Sequence, residues 1–221
     1  MKTINCNKIL VMTAVSAEQD AVIRGLQGDI RFDVRVAGVG PIAAAIGTTT
    51  VLARATEPYD IVISAGIAGG FVGQAELGSI VIADEIVAAD LGAETPDGFM
   101  SLDELGFGDS TRIQIDEHVT ATLLKAMKQA DLPARTGSIL TLSTVTGTAA
   151  TTEELAQRFK EAAAEAMEGY GIASAAEQFG IPALEVRTIS NAVGPRDRAA
   201  WRIGDALKSL ESAFAIMKEV L

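Results

Sequence analysis

Short apolar runs alternate with helical segments along almost the whole chain, and that alternation constrains the fold more than any other feature. Residues 8–15 (KILVMTAV) and 60–65 (DIVISA) read as strands buried on both faces, 31–37 as an alternating strand, and 78–90 (GSIVIADEIVAAD) as one long strand or two consecutive ones. Residues 134–143 form a further strand, and another apolar run ends in Ser190-Asn191. Between them lie helices: one over 17–26 capped by Ser16, one over 42–55 started by Pro41, one over 116–131, one over 151–164, a short small-residue helix after Met167-Glu168-Gly169, and an amphipathic closing helix over 198–220. The polar stretch 93–110, rich in Gly, Pro and Asp, reads as a long mobile loop. Such alternation predicts one α/β domain over 1–221: three α/β/α layers around a twisted, mixed and mostly parallel sheet.

In sheets of this kind ligands bind beyond the carboxyl ends of the strands. The side chains at those ends are Glu18, the Ile67-Ala68-Gly69 part of the glycine run AGIAGG, Val145 and Thr146, and Ser190-Asn191. The glycines could let a ligand approach the backbone or simply make a tight strand-to-helix turn. Glu18 could serve its helix dipole or act as a general base for water. Glu168, between apolar segments, could cap its own helix or accept both hydroxyls of a ribose diol. Asn191 could end a strand, or accept from a purine N7–H while donating to O6. Arg196, Arg198 and Arg202 with Trp201 read either as a solvated helix start or as a guanidinium source for a substrate carboxylate.

Composition removes several function classes. The chain has 221 residues, 48% of them hydrophobic, and 29 acidic against 18 basic side chains give a charge of −11. No basic stripe for nucleic acid is visible, and anionic membranes are disfavoured for the same reason. Cys6 and His118 are the only cysteine and histidine, which excludes an internal disulfide and a cysteine-rich zinc cluster. With no secretory leader and no membrane-length apolar run, a soluble cytoplasmic protein is expected.

Taken together, these residues resemble the nucleoside phosphorylase/nucleosidase superfamily and, within it, the futalosine hydrolases, from the first strand to at least Asp205. AVSAE (14–18), GVGPIAAA (38–45), AGIAGG (65–70), LGSIVIADE (77–85), AMEG (166–169) and EVRTISN (185–191) carry the likeness. The resemblance implies a water-activating base at Glu18, ribose contacts from Met167 and Glu168, and a purine contact from Asn191. Methylthioadenosine/S-adenosylhomocysteine nucleosidases have Asp where this chain has Asn191, so a 6-oxopurine base is expected here rather than adenine. Ala166 stands where nucleosidases often have a second Glu, which leaves the ribose more dependent on Glu168. STVTGTAAT (143–151) and SNAVGPRDRAAWR (190–202) look specifically like futalosine hydrolases.

The implied activity is hydrolysis of futalosine to hypoxanthine and dehypoxanthine futalosine for menaquinone biosynthesis, with no metal or organic cofactor. The implied assembly is a homodimer or larger homo-oligomer. A 6-oxopurine phosphorylase, a methylthioadenosine-type nucleosidase and a non-catalytic nucleoside-binding module are the competing readings.

Overall fold

The computed structural model describes residues 6–107 and 110–221. Its first strand, β1 (Ile9–Thr13), is buried at every position. It lies between β2 (Phe32–Val36) and β3 (Ile61–Gly70), parallel to both. Side chains alternate across β1 and sort into two cores. Ile9 and Val11 join Ile63 on one face, whereas Leu10 and Met12 join Val62 on the other. The helices α1 (Ser16–Leu26) and α7 (Ile203–Met217) pack together over the first face, and α2 (Pro41–Arg54) and α6 (Gly169–Gln178) over the second. The expected three layers are therefore present.

The remaining strands are β4 (Ile80–Ala88), β5 (Gly92–Thr95), β6 (Gly98–Ser101), β7 (Arg112–Gln114), β8 (Ala134–Thr141), β9 (Ala162–Ala166) and β10 (Ala183–Ala192). Short α3 (Leu102–Leu105), α4 (Glu117–Gln129) and α5 (Ala149–Arg158) complete the elements before α6. The main sheet is mixed. β10 runs parallel to β3 and antiparallel to β4, β8 runs parallel to both β4 and β9, and β9 returns antiparallel to the end of β3. Five strands thus close into a ring, with β1 and β2 extending from β3 and β7 lying on β4.

Several expectations need correction. The glycine run is neither a turn nor followed by a helix: Gly66, Gly69 and Gly70 lie inside β3, where they let neighbouring groups crowd the backbone. The stretch 93–110 is no irregular loop over its described residues. Thr95 accepts from Asp97 N and donates to the Gly98 carbonyl, closing the β5–β6 hairpin. Ser101 and Glu104 then form a reciprocal capping box on α3. Residues 108 and 109 of that stretch lie outside the described residues.

The 151–164 helix stops at Arg158, and Ala162–Ala166 is strand β9 instead, buried at all five positions between β8 and β3. Helix propensity favours its alanines, but pairing with β8 and β3 and the close approach of Ala163 to Gly137 hold the segment extended, and packing wins. Val15 rather than Ser16 precedes α1 as its cap. The closing helix starts at Ile203, after a 3-10 turn at Arg198–Ala200. No described helix is long and apolar enough to cross a membrane.

α1 and α7 approach so closely that a Cβ on Gly25 would overlap the Glu211 carbonyl, and Phe214 packs beside it, fully buried. Phe214→Ala should therefore lower unfolding free energy by about 3–5 kcal/mol in urea melts. Replacing Ile30, which is 98% exposed, by Ser should change it by less than about 0.5 kcal/mol.

Candidate active site

The site begins with two charged residues inside a buried strand. Glu185 and Arg187 alternate along β10 at 0% and 1% exposure, where an unpaired charge would be untenable. Arg187 Nε donates to Glu185 Oε1 at 2.8 Å, its Nη2 reaches Glu168 Oε2 at 3.2 Å and Ser64 Oγ at 3.0 Å, and its Nη1 lies 3.4 Å from the Ile67 carbonyl. Burial works against its charge, but the carboxylates of Glu185, Glu168 and Glu18 outweigh that and hold the guanidinium protonated. Neither Glu185 nor Arg187 was identified from sequence as a site residue. The signal available was a Glu-x-Arg pair on one face of an otherwise apolar strand.

Glu168 is the residue before α6, yet its carboxylate does not cap that helix. Oε1 instead accepts from Gly40 N at 3.1 Å, across the turn that starts α2, and Oε2 accepts from Met167 N at 3.3 Å as well as from Arg187. Glu18, in the first turn of α1, is 3% exposed. Its Oε2 accepts from Ala14 N at 2.9 Å and Val15 N at 3.2 Å, and Oε1 from Ile67 N at 2.9 Å. Burial pushes the Glu18 carboxyl above the usual carboxylate range; Arg187 and the Ile67 and Val15 N–H groups pull it down, while Glu168 adds to the rise. Gly66 makes this approach possible, because a Cβ there would overlap the Glu18 carboxylate and crowd Arg187.

Asn191 stands near the end of β10, beside Gly69. Its Oδ1 accepts from Ser190 Oγ at 2.8 Å and its Nδ2 donates to the Ala192 carbonyl at 3.0 Å. One N–H and one acceptor position of the amide stay available to a ligand. On the opposite side of Gly69, β9 supplies Glu165, a third residue missed from sequence. It is 5% exposed, and burial pushes its carboxyl up against the pull of two Thr146 hydrogen bonds.

Most of the residues singled out from sequence come together. Glu18, Ile67, Ala68, Gly69, Val145, Thr146, Met167, Glu168, Ser190 and Asn191 line one cavity of about 620 Å³, and Glu165 and Ala166 line it too. Arg196, Arg198 and Trp201 also line it, with both guanidiniums over the indole at 5.2 and 5.7 Å from its centroid. Arg202 stands off, exposed and 3.4 Å from Asp205. A larger cavity of about 1070 Å³ shares the Val145–Thr146 segment and opens between the β5–β6 hairpin and α5, but none of Glu18, Glu168 or Asn191 lines it. The smaller cavity therefore gathers the groups suited to chemistry: a desolvated carboxylate, a second carboxylate within reach of the same guanidinium, and a two-way amide.

Residues 16–221 match the family model described as the phosphorylase superfamily. The chain is 48% identical to a futalosine hydrolase of Streptomyces coelicolor, over 96% of each chain. It is 47% identical to a futalosine hydrolase of Acidothermus cellulolyticus, over 95% of this chain and 90% of that one. Its fold matches the native structure of futalosine hydrolase of Helicobacter pylori with a TM-score of 0.83, over 97% of this chain and 98% of that one, at 18% identity. By the family match and these identities, the chain belongs to the phosphorylase superfamily and to its futalosine hydrolase family.

Proposed function

We propose that this protein hydrolyses the N-glycosidic bond of futalosine, releasing hypoxanthine and dehypoxanthine futalosine in menaquinone biosynthesis. The observation that carries the reading is Glu18, a buried carboxylate on three backbone N–H groups, in the same cavity as Glu168 and Asn191. Glu18 deprotonates the attacking water. Glu168 accepts the ribose hydroxyls and supports the positive charge that develops on the sugar as the C1′–N9 bond breaks. Asn191 takes the N7–H of the departing base and donates to O6; its amide has no useful pKa, so the proton on N7 comes through solvent. The chemistry of these side chains calls for no metal or organic cofactor.

The surroundings of Glu18 favour water over phosphate. Arg187 is already committed to Glu185 and Glu168, and the carboxylates near it would repel a phosphate dianion. The identity of residue 191 favours a 6-oxopurine over adenine, since a carboxylate there would face O6 acceptor to acceptor. Val39, which lines the cavity, and Ile42 and Ile46 on α2 are apolar side chains 56%, 75% and 63% exposed. Their exposure supports a homodimer or larger homo-oligomer. The same reading makes the protein a cytoplasmic enzyme of small-molecule metabolism.

Incubation with futalosine in phosphate-free buffer, followed by chromatography, should release hypoxanthine; no release, or release only with phosphate, contradicts the reading. In that assay Glu18→Gln should lose about 10²–10⁴-fold in turnover. The wild-type rate should also fall as pH drops through a value above the ordinary 4.5 of a glutamate, because the base must be deprotonated and its pKa is raised. Asn191→Asp should shift the ratio of 6-oxo- to 6-aminopurine nucleoside cleavage by about tenfold to hundredfold toward the amine; an unchanged ratio removes Asn191 from base recognition. Sedimentation velocity at micromolar concentration should give a dimer or larger species, and a monomer would refute the assembly.

A further inference from the structure

Glu165 is a buried acid that the mechanism above leaves without a task. Its Oε1 accepts from Thr146 N at 2.8 Å and its Oε2 from Thr146 Oγ1. Among the described residues no lysine or arginine forms an ion pair with it, in contrast to Glu168 and Glu185. A carboxylate has about four acceptor positions, and Thr146 uses two of them. A desolvated carboxylate with spare acceptors and no cation leaves a strong demand for another donor. It also lines the cavity, so a ligand can meet that demand.

Position says which part of a ligand this is. In the sheet Glu165 and Asn191 both pair with Gly69, one from each side. Their backbones therefore stand about 9–10 Å apart, two strand spacings, with the floor of the cavity at Gly69 between them. A flat heterocycle lying there would present its edge to both side chains. A 6-oxopurine carries N1–H, O6 and N7 in succession along that edge. Adenine has a bare acceptor at N1, which would face a carboxylate acceptor to acceptor.

We propose that Glu165 is a specificity-determining residue whose carboxylate accepts the N1–H of a 6-oxopurine while Asn191 reads O6 and N7. Base choice is then set from two strands rather than by residue 191 alone. The same carboxylate holds Thr146, so the 143–148 segment and the purine edge share one anchor. This inference rests on the 6-oxopurine reading above and deepens it.

Calorimetry with free bases tests it without turnover. The wild type should bind hypoxanthine about tenfold to hundredfold tighter than adenine or 1-methylhypoxanthine, which lacks the N1–H. Glu165→Gln keeps an acceptor for Thr146 N but adds a donor, so it should weaken hypoxanthine and tighten adenine. A residue that only anchors Thr146 would change both bases by the same factor, and that result overturns the proposal. With [1-15N]hypoxanthine, the N1–H proton of the wild-type complex should be observed well downfield and protected from exchange; an N1–H exchanging as it does in water overturns the proposal without any variant. If futalosine is cleaved to hypoxanthine but these discriminations are absent, the role of Glu165 falls alone. If hypoxanthine does not bind at all, the base assignment falls with it.

Discussion

One buried guanidinium organises the centre of this protein. Arg187 is nearly inaccessible to water, and it holds Glu185 and Glu168 directly while its charge also acts on Glu18. Taking such charges out of water is expensive, and backbone and side-chain donors from several elements reach the carboxylate oxygens of the cluster except Glu185 Oε2, which is buried without a partner among the described residues. Gly40 at the start of α2, Ile67 on β3, Met167 before α6 and Ala14 after β1 all donate into it. The elements that carry the site are therefore tied to one another by the same charges to which the proposed chemistry is assigned. One cation shared among three carboxylates also leaves a local excess of negative charge. Burial raises the basicity of Glu18 against the pull of Arg187, and in the proposed reaction the surrounding carboxylates favour neutral water over phosphate next to it.

The two ends of the cavity are built by different physics. At the sugar end, ionised groups are fixed by short hydrogen bonds from backbone, and glycine at position 66 makes the required approach sterically possible. At the base end, the proposed discrimination rests on donors and acceptors placed on neighbouring strands around Gly69. Closing five strands into a ring is what brings β9 next to β3, and hence Glu165 within the same cavity as Asn191. An open sheet with β9 elsewhere would leave Asn191 without Glu165 across Gly69.

Most of the site was legible in the sequence because apolar strand-like runs end close before Glu18 and at Asn191, and because Glu168 stands at a helix start between apolar segments. Arg187 and Glu185 were not, since they sit within an apolar strand and have no meaning until their partners are placed. β9 was hidden for a compositional reason: AAAEA is a good helix sequence, and only the space between β8 and β3 makes it a strand. Glu165 was hidden with it. The glycine run was recognised as a place of close approach, but a strand rather than a turn delivers that approach. The β5–β6 hairpin was obscured by polar turn residues that resemble a disordered loop, although the Thr95 and Ser101 hydrogen bonds organise it locally.

In the proposed reaction the Arg187 carboxylate cluster makes water, and not phosphate, the nucleophile at C1′. Cleavage of futalosine in H₂¹⁸O buffer containing millimolar phosphate, read by mass spectrometry, tests it most directly. The account predicts a free sugar hydroxyl at C1′ bearing ¹⁸O from the first turnover, with a rate independent of phosphate. A sugar 1-phosphate product, with no solvent label at C1′, would contradict it.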